Sequence, residues 1–353
     1  MVEWLRAVAR FFQNKIGWNR VGVLLSLTII AIAVVVLVHM LRDINVDEVI
    51  KAMGGVSWRR IAAAALFVAA GYFTLTFYDL FALRTIGHPE IPYRVAALAG
   101  FTSYSVGHNV GATVFTGGAV RYRIYSPYGL TAVEVAKICF VAGLTFWLGN
   151  VTVLGLGIAY HPEAAGLIDQ LPVAANRIIA AVMLGVLVSY LGWVWTAPRE
   201  IGRSEWTVRL PSGPSTLLQI CIGILDLACC ALAMYMLLPS EPNIGFVTIA
   251  VVFVSATLLG FASHAPGGLG VFDAAMLVAL WQFDKEAVLA GLLLFRVLYY
   301  LCPFAIALII LGLREVWLNM RGVRTKPELE PVTSVTAPLR TEFDRERERG
   351  KIG

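Results

Sequence analysis

The chain has 353 residues, 58% of them hydrophobic and only 14% charged, with a formal net charge of +5. That composition excludes a soluble globular domain, and the small, scattered positive charge reads as topology signal and headgroup attraction rather than a nucleic-acid surface. Several apolar runs are about 18 residues or longer, enough to cross a hydrocarbon core of roughly 30 Å, so the expected fold class is all-α, a polytopic membrane protein.

In chain order, residues 1–20 come first. Trp4, Leu5, Val8, Phe11 and Phe12 share one helical face and Arg6, Arg10, Gln13 and Asn14 another. That predicts an interfacial amphipathic helix on an anionic leaflet. The first apolar run ends in His39-Met40-Leu41-Arg42 without a small-residue cleavage site, which argues against a cleaved signal peptide. Eight spans are predicted near 21–41, 59–83, 93–107, 131–160, 174–197, 214–238, 245–263 and 286–313. Broken elements near 108–120 and 264–281 follow the third and seventh. Beyond Lys326 a Pro-, Thr- and Glu-containing stretch runs into Arg345-Glu346-Arg347-Glu348-Arg349, a composition that cannot bury a core and predicts a disordered cytoplasmic tail over 326–353.

The broken elements are the most informative feature. Ser105-Val106-Gly107-His108-Asn109-Val110-Gly111 leads to Gly117-Gly118, and Ser263-His264-Ala265-Pro266-Gly267-Gly268-Leu269-Gly270 interrupts the later run. A lipid-facing helix cannot leave backbone groups unpaired, so such breaks belong against protein or a wet cavity. Paired breaks in two halves point to a substrate site near the bilayer middle. His108 and His264 lie 156 residues apart, and the same offset relates Trp58 to Pro214 and Arg20 to Asn176. A duplicated unit follows, with one membrane repeat over 21–160 and a second over 174–314. If each broken element crosses the membrane the repeats are inverted; if each re-enters they are parallel. The crossing arrangement keeps Arg121, Arg123, Arg199, Arg203 and Arg209 inside with both termini and is favoured by the positive-inside rule.

Charges within spans cost about 2.5–3.5 kcal/mol each on insertion scales and so face the bundle interior. Asp79, Glu134, Lys137, Asp226, Asp273 and Arg296 are such residues. Arg296 and Asp273 either bind the two signs of a polar headgroup or lock helices as an ion pair, with Asp226 a candidate for the same roles. Asp79 is close enough to the loop at Arg84 to snorkel. Arg121 and Arg123, beside Gly117-Gly118, either grip a phosphate or act as positive-inside anchors. Glu134 and Lys137 suit a helix-surface pair. His108 and His264 are either proton relays or partners of loose backbone groups. The five cysteines lie in apolar spans without C-x-x-C spacing, so neither a disulfide framework nor a metal site is expected, and no cofactor. Walker A, H-E-x-x-H and G-x-S-x-G patterns are absent from the sequence, so no enzymatic activity is expected.

Gly117-Gly118-Ala119-Val120-Arg121-Tyr122-Arg123-Ile124-Tyr125, Thr145-Phe146-Trp147-Leu148-Gly149 and Pro266-Gly267-Gly268-Leu269-Gly270-Val271-Phe272-Asp273 together are distinctive. They resemble the N-terminal, flippase-like membrane half of the multiple peptide resistance factors, the lysylphosphatidylglycerol synthase/flippase proteins, over roughly residues 20–315. The resemblance implies translocation of a phospholipid across the bacterial cytoplasmic membrane, often by a homodimer. It implies polar-motif roles for Arg121, Asp273 and Arg296, and for Asp79 and Asp226. Synthase chemistry is not expected without the family's transferase domain.

The function expected is a lipid flippase, with a polar-headgroup or anionic phospholipid as partner and Arg121, Arg123, Asp226, Asp273 and Arg296 binding substrate. His108 and His264 stand at the breaks with Gly111, Gly117, Gly118, Gly267, Gly268 and Gly270. Two alternatives stand beside it: a non-catalytic membrane subunit that recruits a separate lipid-modifying enzyme, and a proton-coupled exporter of a small solute.

Overall fold

A computed structural model describes residues 47, 51 and 54–320, except 112, 204–205 and 263–265. The predicted interfacial helix, the span at 21–41, His264 and the tail lie outside the described residues. The helices are α1 (Trp58–Ile86), α2 (Tyr93–Val110), α3 (Thr113–Tyr125), α4 (Ala132–Tyr160), α5 (Pro162–Asp169), α6 (Val173–Thr196), α7 (Gly213–Leu237), α8 (Phe246–Ala262), α9 (Val271–Ala279), α10 (Lys285–Phe295) and α11 (Cys302–Met320). A π-helical turn, Arg296–Leu301, joins α10 to α11. The chain is an all-α membrane protein. Among the described residues the departure from helix is a two-stranded antiparallel ribbon, β1 (Glu200–Arg203) with β2 (Trp206–Arg209), in the polar loop between α6 and α7.

Among the described residues, five helical stretches are long and apolar enough to cross a membrane: α1, α4, α6, α7 and the continuous 34 residues Lys285–Leu318. The expected spans at 93–107 and 245–263 are helices too, but α8 has 17 residues and α2 carries a polar run. Eight equivalent spans are therefore not what the described residues show. Short α5 and the ribbon were not expected from the sequence, because their apolar periodicity is too brief to register.

The ends of the helices fix how they run. Arg60, at the start of α1, donates to the carbonyls of Leu238 and Tyr235 and to Ser240 Oγ, at the end of α7. Further along, Thr74 and Tyr78 meet Asp226. As the number rises on α1 it falls on α7, so these two packed helices are antiparallel. At the other end of α1, His88 reaches Glu134 at the start of α4, 3.0 Å away. The loop after α1 and the loop before α4 therefore share one side. Between them α2 and α3 pack against each other and form a helical hairpin. α8 and α9 likewise pack together, and Phe283, just past α9, lines a cavity with Ile244 and Ile249 at the start of α8. That hairpin opens at the opposite side, where α7 ends and α1 begins.

The hairpin tips meet in the middle. Gly267, in the tight turn Pro266–Gly268, lies where a Cβ would be in ordinary contact, 3.7 Å, with both the His108 carbonyl and the Tyr300 ring. Its φ of 60° is left-handed, as are 63° at Gly268 and 81° at Gly270, so this turn needs glycine. Gly111, at φ 81°, makes the corresponding reversal between α2 and α3. A tighter approach is that of α4 on α7, where a Cβ on Gly149 would fall 2.7 Å from Gly223 Cα. Without a hydrophobic drive between helices in lipid, such small-residue contacts are what hold them together.

Candidate functional site at the hairpin tips

Each hairpin is pinned by an arginine–aspartate pair. In the first, Arg121 on α3 donates through Nε to both oxygens of Asp79, at 3.1 and 3.0 Å, and through Nη2 at 2.7 Å. Tyr125, one turn on, adds an O–H bond of 2.8 Å. Asp79 is fully buried and Arg121 nearly so, which corrects the expectation of a snorkelling Asp79: seven residues from the end of α1 it turns inward, because the guanidinium satisfies it there. The Arg121 guanidinium also lies 4.8 Å over the Tyr104 ring. Arg123 bonds Glu315 at 2.5 Å, tying α3 to α11.

In the second hairpin the polarity is reversed. Asp273 on α9 accepts from Nε and Nη2 of Arg296, the former at 3.1 Å, and from the Gly270 backbone N–H at 3.0 Å. Arg296 Nη1 points at the Gly267 carbonyl, 3.4 Å away. The Arg296 side chain is 5% exposed and that of Asp273 21%, so this pair reaches an accessible surface. Arg296 opens the π-turn, and Pro303 explains part of the local irregularity. Proline has no N–H to give the Tyr299 carbonyl one turn back, and Tyr72 donates to that carbonyl instead at 3.0 Å. Asn109, at the first tip, donates to the Tyr300 carbonyl at 3.2 Å.

His108 stacks on Tyr299, with ring centroids 6.1 Å apart, and packs against Tyr104 and Phe261. Its Nδ1 and the Asn109 Oδ1 are buried without a hydrogen-bond partner among the described residues. Gly117 abuts the Ser103 carbonyl, which lets α3 lie close on α2, and Gly118 faces Cys139. Asp226 sits apart from both ion pairs, on α7 against α1, with Tyr78 and Thr74 as its hydrogen-bond partners. Among the described residues no three His, Cys, Asp or Glu side chains are grouped to hold a metal ion.

The sequence carries no signal for the roles of Tyr125, Tyr78 and Tyr72; only packing shows what their hydroxyls reach. Glu134 was expected to pair with Lys137 on the helix surface. It instead closes a capping box with Thr131 and bonds His88. Thr131-Ala-Val-Glu134 carries the T-x-x-E signature that could have revealed this.

No family model matches the chain. It is 29% identical over 282 residues to an uncharacterized protein of Synechocystis sp., covering 79% of this chain and 87% of that one. It is 28% identical over 300 residues to the inner membrane protein YbhN of Escherichia coli, covering 83% and 92%. A phosphatidylglycerol lysyltransferase of Staphylococcus haemolyticus is 26% identical over 300 residues, 80% of this chain but 33% of its own length. The chain resembles a membrane part of the phosphatidylglycerol lysyltransferases. It spans about a third of those relatives and most of the two others, a pattern that fits a flippase-like unit related to these membrane proteins.

Proposed function

We propose that this protein translocates a polar-headgroup lipid across the cytoplasmic membrane, acting as a flippase and carrying out no chemistry of its own. The observation that carries the reading is the Asp273–Arg296 pair. It stands at the tip of a hairpin that meets a second hairpin from the opposite side, and it is partly accessible. Arg296 gives one edge of its guanidinium to a carboxylate. A lipid phosphate presents the same bidentate geometry and can replace Asp273 there. Asp273, once released, can attract the cationic end of a zwitterionic or aminoacylated headgroup. The exchange keeps both charges partnered, which the low-dielectric interior demands. Arg121 and Asp79 then act as the fixed lock of the opposite hairpin, and Arg123 with Glu315 steadies its outer end.

Helices related by the 156-residue offset, α1 with α7, α2 with α8, α3 with α9 and α4 with α10–α11, support reading the scaffold as two inverted repeats. Their packing is reciprocal: α2 lies on α11, as α8 lies on α4. Such repeats permit alternating access by rocking about a midplane site. In this reading both termini face the cytoplasm, the partner is an anionic or zwitterionic phospholipid, and the working unit is a homodimer.

The test is translocation of fluorescent and aminoacylated phospholipids in proteoliposomes. Arg296→Ala is expected to abolish it, and Arg296→Lys to retain a small fraction, because an ammonium cannot engage a phosphate bidentately. Unchanged translocation by a folded Arg296→Ala protein overturns the role of the pair. A wild-type protein that moves none of these lipids overturns the flippase reading.

A further inference from the structure

We propose that Asp226 is a proton-binding site, occupied in the conformation described and located where α1 crosses α7. The inference goes beyond the translocation reading and does not depend on it.

Asp226 is 5% exposed and lies on a membrane-spanning helix. The buried arginines are committed elsewhere, Arg121 to Asp79 and Arg296 to Asp273. The polar and titratable groups facing Asp226 are neutral: Thr74 and Tyr78 from α1, Cys229 and Cys230 from its own helix beside Gly71, and the rings of Tyr72, Tyr104 and Tyr299. Among the described residues an ionised carboxylate so placed has no opposite charge, which is costly away from water.

Tyr78 donates its one proton to Asp226 Oδ2, 3.2 Å away. Thr74 Oγ1 has one proton and two acceptors within reach, the Gly71 carbonyl at 2.6 Å and Asp226 Oδ1 at 3.3 Å. Given to the nearer of the two, the carbonyl, that proton leaves Thr74 Oγ1 as an acceptor toward Asp226 Oδ1. A carboxylate would face lone pairs there. A carboxylic acid satisfies every group: Oδ1–H donates to Thr74 Oγ1, Tyr78 donates to Oδ2, and Thr74 donates to Gly71. Release of the proton to water leaves a carboxylate whose Oδ1 faces that acceptor, so the ionised form must break the Thr74–Gly71 bond or part α1 from α7. Proton occupancy is thereby linked to the contact between the two antiparallel helices that carry the hairpins.

Infrared difference spectroscopy on the purified, lipid-reconstituted full chain reads this directly and independently of transport. At neutral pH the wild type is expected to show the carbonyl stretch of a protonated, buried carboxyl. That band is lost in Asp226→Asn and bleached in the wild type by raising the pH. Its absence from the wild type overturns the proposal. Should Asp226→Asn fail to fold, Thr74 supplies the second arm. Removing an acceptor of the acid in Thr74→Val is expected to lower the pH at which the band bleaches, and Thr74→Ser to restore it. A bleaching pH that rises in Thr74→Val means that Thr74 was donating to a carboxylate, and the proposal is wrong.

Discussion

Breaking the lock between Asp79 and Arg121 should destabilise the protein far more than deleting it whole. Asp79→Leu leaves Arg121, 3% exposed, as an uncompensated charge among the apolar side chains that pack α1, α2 and α3. Losing one partner of a buried pair costs about 3–5 kcal/mol, or roughly two to four orders of magnitude in the folded-to-unfolded ratio. Three Arg121 N–H bonds of 2.7–3.1 Å and the 2.8 Å bond from Tyr125 are involved, so the upper part of that range is expected. Tyr125→Phe alone removes one bond to a charged group, about 1.5–3 kcal/mol. The double variant Asp79→Leu with Arg121→Met replaces the pair by apolar groups of similar volume, and such replacements are often near neutral. The assay is equilibrium unfolding in mixed micelles, followed by helix content and by the accessibility of Cys139, which borders the Arg121 head. Wild-type stability in Asp79→Leu, or a double variant weaker than either single change, would refute the reasoning.

Gly223→Ala puts a Cβ 2.8 Å from Gly149 Cα and 2.9 Å from the Thr145 carbonyl. α4 and α7 must part, at a cost of about 1–3 kcal/mol, stretching the 2.8 Å bond from Gln219 to Thr145; an unshifted unfolding midpoint contradicts this packing. Arg60→Ala should speed amide exchange at residues 236–240, since it frees the Leu238 and Tyr235 carbonyls that end α7, and unchanged exchange would count against the antiparallel register. His88 offers a pH test. Partial burial pushes its imidazole pKa down, but hydrogen bonds to Glu134 and Glu90 outweigh this and hold it above the ordinary value. A raised folded-state pKa means that the stabilisation is complete below the usual imidazole value of about 6.5 and fades as pH rises through the folded-state value. The melting difference between wild type and His88→Gln should therefore shrink as pH is raised across that window; a pH-independent difference rules the linkage out.

The hydrophobic runs alone determined that this is a helical membrane protein, and the ends of α4, α6 and α7 fall within a residue of the expected 131–160, 174–197 and 214–238. The pattern was legible because a membrane helix must be apolar along its whole length and pair its own backbone. The breaks at Gly111 and Gly267-Gly268 were legible for the same reason, as violations of that rule. The partners were not. Asp79 and Arg121 are 42 residues apart, Asp273 and Arg296 23, and Arg60 and Leu238 178. No local period records such separations, so Asp79 read as a residue near a loop and Arg121 as a headgroup ligand or an anchor. Tertiary structure decided which acid meets which base, and that α1 and α7 run antiparallel. It also placed Asp226 against Thr74 and Tyr78 of α1, apart from both arginine–aspartate pairs. The physical reason is that charge in a low-dielectric interior is governed by the three-dimensional position of the compensating group, while apolar length, which is local, is all that insertion requires.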